Sequence, residues 1–348
     1  MTKKRILVVG PAWVGDMVMA QTVFITLHNQ DAEVDVVAPT WSLPLLSRMP
    51  EVRRAIALSA GHGQFGLAER WRIGRALRTE HYDQAIVLPR SFKSALIPYF
   101  SGSKLRTGYR GEMRYGLLND TRPLDKQLLP RVVDRYVALG LPASAQLPPQ
   151  NMPLPHLDID TVNQRNLLKQ LGLHLDQPVV AFMPGAEYGP AKRWPLEHYA
   201  TLARELLANG YQVWLIGSAK EHTDGAQLLA NAPGVINLCG QTRLEDAIDL
   251  LSLCSAAVSN DSGLMHVAAA TGIPVIALYG SSTPAYTPPL SNSAQSIYLD
   301  LPCSPCFKRR CPLPEDTPCL REIMPEQVML QLQQILAIDT TANRNENT

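Results

Sequence analysis

The chain has 348 residues, with 32 Lys and Arg against 31 Asp and Glu, a formal charge of +1. Apolar residues make up 46% and charged residues 18%, which excludes a disordered chain, and the near-zero charge argues against a protein built to coat nucleic acid. No apolar run approaches the roughly 20 residues needed to span a bilayer, and the length suits about two domains.

Lys3-Lys4-Arg5 before Ile6–Val9 has the outline of a secretory leader, but Gly10-Pro11 ends the apolar run after four residues. A short buried strand is the better reading. The chain is then expected in the cytoplasm, where its six cysteines serve as thiols or metal ligands rather than disulfides. A helix over Asp16–His28 follows, then strands at Val34–Ala38 and Ala85–Leu88 and a helix around Arg131–Leu139. Uninterrupted apolar strands of this kind are buried on both faces, as in a parallel sheet covered by helices. The proline-rich stretch from Leu141 to Pro155 reads as an extended linker.

The pattern then restarts. Val179–Met183 is a strand, Leu196–Ala208 a helix, Gln212–Ile216 a strand and Leu244–Cys254 a helix. Ala256–Ser259, Gly263–Thr271 and Pro274–Tyr279 continue as strand, helix and strand. Two doubly wound α/β domains are expected, 1–155 and 156–348, facing a central cleft. Glu326–Leu336 reads as a last helix, and Asp339–Thr348 as a polar tail that frays.

Five regions carry candidate chemistry. Gly10-Pro-Ala-Trp-Val-Gly-Asp16 lies between the first strand and its helix, where backbone N–H groups and a helix start approach a ligand. It is neither Gly-x-Gly-x-x-Gly nor a P-loop. Spacing alone reads Asp16 as a helix cap before it reads it as a general base. Pro184-Gly185 through Lys192-Arg193-Trp194-Pro195 joins a glycine turn and two cations to a helix start, which suits a phosphate as well as a solvated surface. Asn260-Asp261-Ser262-Gly263 with His266 repeats a strand end, tight turn and helix start. There Ser262 and the Gly263 region face a diphosphate, and Asp261 caps the helix, orients a cation or touches sugar. Glu221, after Gly217, is placed to accept ribose hydroxyl protons. Lys93, Arg110 and Arg114, with Arg90, Arg106 and Arg122 nearby, form a basic face that suits a polyanionic acceptor. Stacking aromatics at nucleic-acid spacing are absent.

Cys303-x-x-Cys306 with Cys311 and Cys319 puts four sulfurs within 17 positions. Tetrahedral zinc, free thiols and a disulfide all remain open, with Lys308-Arg309-Arg310 expected to lower the thiolate pKa values. No base accompanies the cluster, so no catalytic role is assigned to it.

With Arg5-Ile-Leu-Val-Val-Gly-Pro-Ala-Trp-Val-Gly-Asp-Met, Arg110-Gly-Glu-Met-Arg-Tyr-Gly-Leu-Leu-Asn-Asp, Pro184-Gly-Ala-Glu-Tyr-Gly-Pro-Ala-Lys-Arg-Trp-Pro and Asn260-Asp-Ser-Gly-Leu-Met-His in view, the sequence resembles the glycosyltransferase family 9 heptosyltransferases of lipopolysaccharide core synthesis. The resemblance covers nearly the whole chain. It implies a GT-B fold of two Rossmann-like domains, with acceptor bound mostly by the first and ADP-heptose by the second. It also implies inverting transfer of L-glycero-D-manno-heptose to a heptosylated Kdo-lipid A acceptor at the inner-membrane surface, with the first inner-core heptose as the receiving sugar.

By position Asp16 matches the family's base, which reverses the cap preference, and Lys192 its phosphate-contacting lysine. Gly185, Glu221, Asp261, Ser262, Gly263 and His266 fall among its donor-binding positions. No cofactor or catalytic metal is expected, and a monomer is expected, peripheral to the membrane if attached at all. The alternatives are a family member with a different core acceptor, a nucleotide-sugar epimerase, and a non-enzymatic sensor of the same ligand.

Overall fold

The structure, a computed structural model, describes residues 3–61, 63–314 and 316–345, with the backbone course alone for 337–345. The chain divides into two compact units, Met1–Pro155 and His156–Thr348. The first holds β1 (Lys4–Val9), α1 (Val14–His28), β2 (Ala32–Pro39), α2 (Leu43–Leu46), β3 (Val52–Leu58) and α3 (Leu67–Ala76). It continues through β4 (Gln84–Val87), α4 (Leu96–Ser101), β5 (Leu105–Tyr109), β6 (Asp120–Arg122) and α5 (Val132–Gly140).

Its six strands are parallel in the order β3-β2-β1-β4-β5-β6. The central strands are apolar without alternation because both faces are covered; Leu7, Val8, Val36 and Ile86 are fully buried. Helix α1 shows no single apolar stripe and is buried nearly all round. One flank meets α5, where a Cβ on Gly140 would stand 2.7 Å from Val23 Cγ2. Only glycine admits that approach.

The second unit runs α6 (Thr161–Leu171), β7 (Val179–Met183), α7 (Leu196–Ala208), β8 (Gln212–Leu215), α8 (His222–Asn231), β9 (Ile236–Asn237) and α9 (Leu244–Leu251). Then come β10 (Ala256–Asn260), α10 (Gly263–Ala270), β11 (Val275–Tyr279), β12 (Ala294–Tyr298), α11 (Pro318–Arg321) and α12 (Pro325–Asn345). The order β12-β11-β10-β7-β8-β9 repeats that of the first unit strand for strand. Phe182, Trp194 and Tyr199 form a fully buried aromatic group under β7, each side chain contributing about 1.5–3 kcal/mol through burial.

Most expected elements begin or end within one or two residues of the observed ones, and three differences stand out. Helix α9 ends at Leu251 rather than Cys254. Helix α12 starts at Pro325 and continues to Asn345, through most of the stretch expected as a fraying tail; positions 346–348 lie outside the described residues. Strand β3, not among the expected strands, carries exposed Arg53 and Arg54 at the sheet edge ahead of a short apolar run, Ala55–Leu58. Those arginines and the Tyr82 hydroxyl all bond the wholly buried Asp35 carboxylate, so the edge is fastened by charge.

Candidate functional site

In parallel sheets of this order, ligands meet the loops at the carboxyl ends of strands flanking the reversal of strand order. The reversal falls between β1 and β4 in the first unit and between β7 and β10 in the second.

In the second unit, the loop after β7 carries Gly185, Tyr188 and Lys192 and is fixed from below by Asn260 at the end of β10. The Asn260 Oδ1 accepts the Trp194 N–H at 2.9 Å and the Tyr199 hydroxyl at 3.3 Å, and its Nδ2 donates to the Pro184 carbonyl at 2.7 Å. One buried amide thereby holds both ends of the loop. Lys192, in a short 3-10 turn, donates through Nζ to Asp261 Oδ2, which also accepts the Ser282 hydroxyl. Asp261 is 5% exposed. Its carboxylate therefore orients the ammonium; it does not cap α10.

That cap is Ser262, whose Oγ accepts the Met265 N–H at 3.3 Å. Helix α10 thus presents its positive end beside Lys192 and Asp261. His266, one turn along, is buried, and desolvation pulls its pKa down to about 4, so the ring is neutral at pH 7.

Glu221 follows β8 and is almost wholly buried. Its Oε2 accepts the Ser218 N–H at 2.8 Å and the Ser218 hydroxyl at 2.6 Å, closing a capping box. A Cβ on Gly185 would stand 2.8 Å from Glu221 Cγ, so the glycine is what lets the two loops touch. Gly185, Lys192, Glu221, Asp261, Ser262, Gly263 and His266 thus all lie on strand-end loops of this one sheet or at the start of α10.

The sequence reading missed three contributors. Ser282, after β11, shares Asp261 with Lys192. The Tyr188 ring lies 5.2 Å from Lys192 Nζ and 5.4 Å from Arg309 Cζ. The Arg309 carbonyl accepts the Ala191 N–H at 3.2 Å and would be 2.5 Å from a Cβ on Gly189. The cysteine-rich segment is thereby laid against the Lys192 loop by backbone contact. Gly189 is the one readable sign of that close approach.

All six cysteines are free thiols. Cys303, Cys306, Cys311 and Cys319 share one cavity of about 230 Å³ with Ala191 and Ser281. Among the described residues no group of three or more His, Cys, Asp or Glu is disposed to hold a metal ion. The expectation that neighbouring cations depress the thiolate pKa values is corrected at Cys319, where burial raises it to about 11.

In the first unit, α1 has Trp13 at its cap position and no side-chain cap bond there; Asp16 is the third helical residue, partly exposed. Asp16 is therefore not itself the N-cap residue. The basic face divides into two kinds. Arg110 is exposed and Lys93 donates to the Gln64 carbonyl at 2.8 Å.

Arg114 points inward. It is 4% exposed and bonds the carbonyls of Pro89 and Tyr109, and burial lowers its pKa from the ordinary value. Arg106 and Arg122 likewise spend their guanidinium groups on backbone carbonyls, Arg122 also on Asp120. These three shape the loops around the face, and Arg114 holds its guanidinium on the carbonyls of Pro89 and Tyr109.

The family model for glycosyltransferase family 9 (heptosyltransferase) matches residues 70–316. Lipopolysaccharide heptosyltransferase 2 of Escherichia coli K12 is 51% identical over 306 residues, spanning 85% of this chain and 88% of that protein. Lipooligosaccharide heptosyltransferase 2 of Haemophilus ducreyi is 44% identical across 96% of this chain and 99% of its own length. Among solved structures, the E. coli ADP-heptose LPS heptosyltransferase II superposes with a TM-score of 0.85 at 45% identity, covering 97% of this chain and 99% of that one.

Proposed function

The chain belongs to glycosyltransferase family 9, and on that premise we propose that it moves L-glycero-D-manno-heptose from ADP-heptose to the first heptose of a lipopolysaccharide inner core, inverting the anomeric carbon. It is a glycosyltransferase of the GT-B type, built from two Rossmann-like units. The observation that carries the reading for the donor is the buried Lys192–Asp261–Ser282 group beside the N-terminal end of α10, an arrangement suited to a diphosphate.

In this reading Asp16 accepts the proton of the attacking hydroxyl while the new glycosidic bond forms and the bond from C1 to the phosphate oxygen breaks. ADP departs with the bonding pair. Lys192 and the backbone N–H groups at the start of α10 meet the charge that grows on it, an interaction strongest in the transition state. Asp261 keeps the ammonium aimed before the donor arrives. Neutral His266 offers one ring N–H without adding positive charge, and Glu221, held by Ser218, faces the adenosine ribose. The acceptor is gripped by Arg110 and Lys93 of the first unit, with Arg114 setting the shape of their loops. The protein acts as a monomer at the cytoplasmic face of the inner membrane, where its lipid-anchored acceptor lies; among the described residues no helix is long and apolar enough to cross a membrane.

The deciding experiment offers labelled ADP-heptose to Kdo-lipid A acceptors carrying zero, one or two heptoses. Label should enter the one-heptose acceptor alone, and should do so undiminished in EDTA because Lys192 and α10 neutralise the diphosphate. Equal labelling of all three acceptors, or an isomerised sugar nucleotide with no acceptor present, overturns the reading.

A further inference from the structure

The first unit carries a surface that neither the donor chemistry nor the core explains. Helix α3 turns Arg70 and Gly74 inward and leaves Leu67, Trp71, Arg72 and Arg75 in solvent. Gly74 lets α4 pack hard against it, since a Cβ there would stand 2.5 Å from that of Phe100. Arg78 Nε ties the two by donating to the Phe100 carbonyl at 2.9 Å. Tyr99 of α4 is exposed beside it, with Arg106 over its ring at 5.8 Å. Phe65, at the start of the same face, is exposed and stacks on Phe92 at 6.4 Å. Trp71 and Tyr99 are each about half exposed, at 50% and 47%. Single exposed rings are ordinary on a protein surface, so what distinguishes this face is the charge set around its indole.

The charge around those rings identifies the partner. Arg72, Arg75 and Arg78 are exposed, and none of them enters an ion pair among the described residues. Arg75 lies 5.5 Å over the Trp71 ring, a cation and an indole presented together. The acid of the helix, Glu69, is occupied by the Ser59 N–H at 2.7 Å. The half-exposed Trp71, set beside unneutralised arginines, matches the headgroup layer of a bilayer, which takes amphipathic rings at its boundary and cations at its anionic lipids.

We propose that the α3–α4 face docks on an anionic membrane surface, with Trp71 and Tyr99 entering the headgroup layer and Arg72, Arg75 and Arg78 meeting lipid phosphates. Phe65 stacks on the neighbour of Lys93, and Lys93 itself bonds Gln64. The docked face therefore adjoins the residues assigned to the acceptor. The inference deepens the lipid-anchored acceptor reading and rests on it for its setting.

The test is co-sedimentation of the full chain, without donor or acceptor, with phosphatidylglycerol-containing vesicles and with pure phosphatidylcholine vesicles. Binding should require phosphatidylglycerol and weaken as salt rises. Arg72→Gln with Arg75→Gln should lower partitioning by about tenfold or more, and Trp71→Ser should lower it further. Because these side chains are exposed, thermal melting and ADP binding should not change in the variants. Equal binding to both vesicle types, partitioning untouched by the substitutions, or a dimer in solution that Trp71→Ser disperses would overturn the proposal. Heptose transfer to a delipidated, water-soluble acceptor is run in parallel. If it persists in a chain that ignores vesicles, the surface assignment falls alone; if it is absent in a chain that binds them, the transfer reading falls alone.

Discussion

The two units share a strand order and place their loops at the same reversal point, yet they spend charge in opposite ways. In the second unit Asp261 and Glu221 at the strand ends are buried and each is held by a polar neighbour, Asp261 by the partly buried Lys192 and by Ser282, Glu221 by Ser218. In the first, the inward-facing cation, Arg114, is consumed by carbonyls, and Arg90 and Arg110 stand in solvent. A preorganised polar group suits a ligand whose charge must be met at one place in a transition state. A solvated cationic face suits a large anion that is held loosely and released. The same scaffold thus yields a rigid grip in one half and a soft one in the other.

The sharpest way to break that contrast is at Asp16, which belongs to the soft half yet is assigned chemistry. Asp16→Asn should lower kcat by about 10²–10⁴ with the KM for ADP-heptose nearly constant; near-normal turnover removes the base from the mechanism. Lys192→Ala should cost about 3–4 kcal/mol of transition-state stabilisation in kcat/KM, part of it because Asp261 is left buried without its partner; unaltered steady-state kinetics would show the grip to lie elsewhere.

The neutral His266 gives a third probe, read by melting the ligand-free protein across pH. Its pKa is about 4 when folded against 6.5 for the free side chain, so the folded form binds fewer protons between those values. Stability is complete above pH 6.5 and falls as pH drops toward 4, by roughly 3 kcal/mol at the limit. His266→Gln should flatten that limb of the curve, and an unchanged slope would mean the ring is hydrated. Smallest of all, Arg110→Ala or Lys93→Ala should raise the acceptor KM by an amount worth about 1 kcal/mol or less, shrinking with salt. A shift in donor KM instead would erase the division between the halves.

Much of this was legible in the residues. Val179–Met183 and Leu196–Ala208 are read with their observed bounds, because an apolar run and a helical period end at unambiguous proline and glycine signals. Strand β3 was not read, since its edge position trades apolar residues for arginines that pair with Asp35. At the site, individual residues could be named but their pairing could not. Lys192 and Asp261 are 69 positions apart, and nothing local reports that an ammonium meets a particular carboxylate. Arg114 shows the converse: arginines are visible in a sequence, but the carbonyls they bond are not. Ser282 stands in no motif, Arg309 was visible only as part of the cysteine segment, and the roles of both come from the loops they touch.

One feature of the fold reaches beyond catalysis. Each six-stranded sheet is completed by strands from its own unit, so neither hydrogen-bond ladder borrows a strand from the other half of the gene. A recombination crossover within 141–155 would leave both ladders whole. Two halves joined at that stretch would each arrive with a complete sheet.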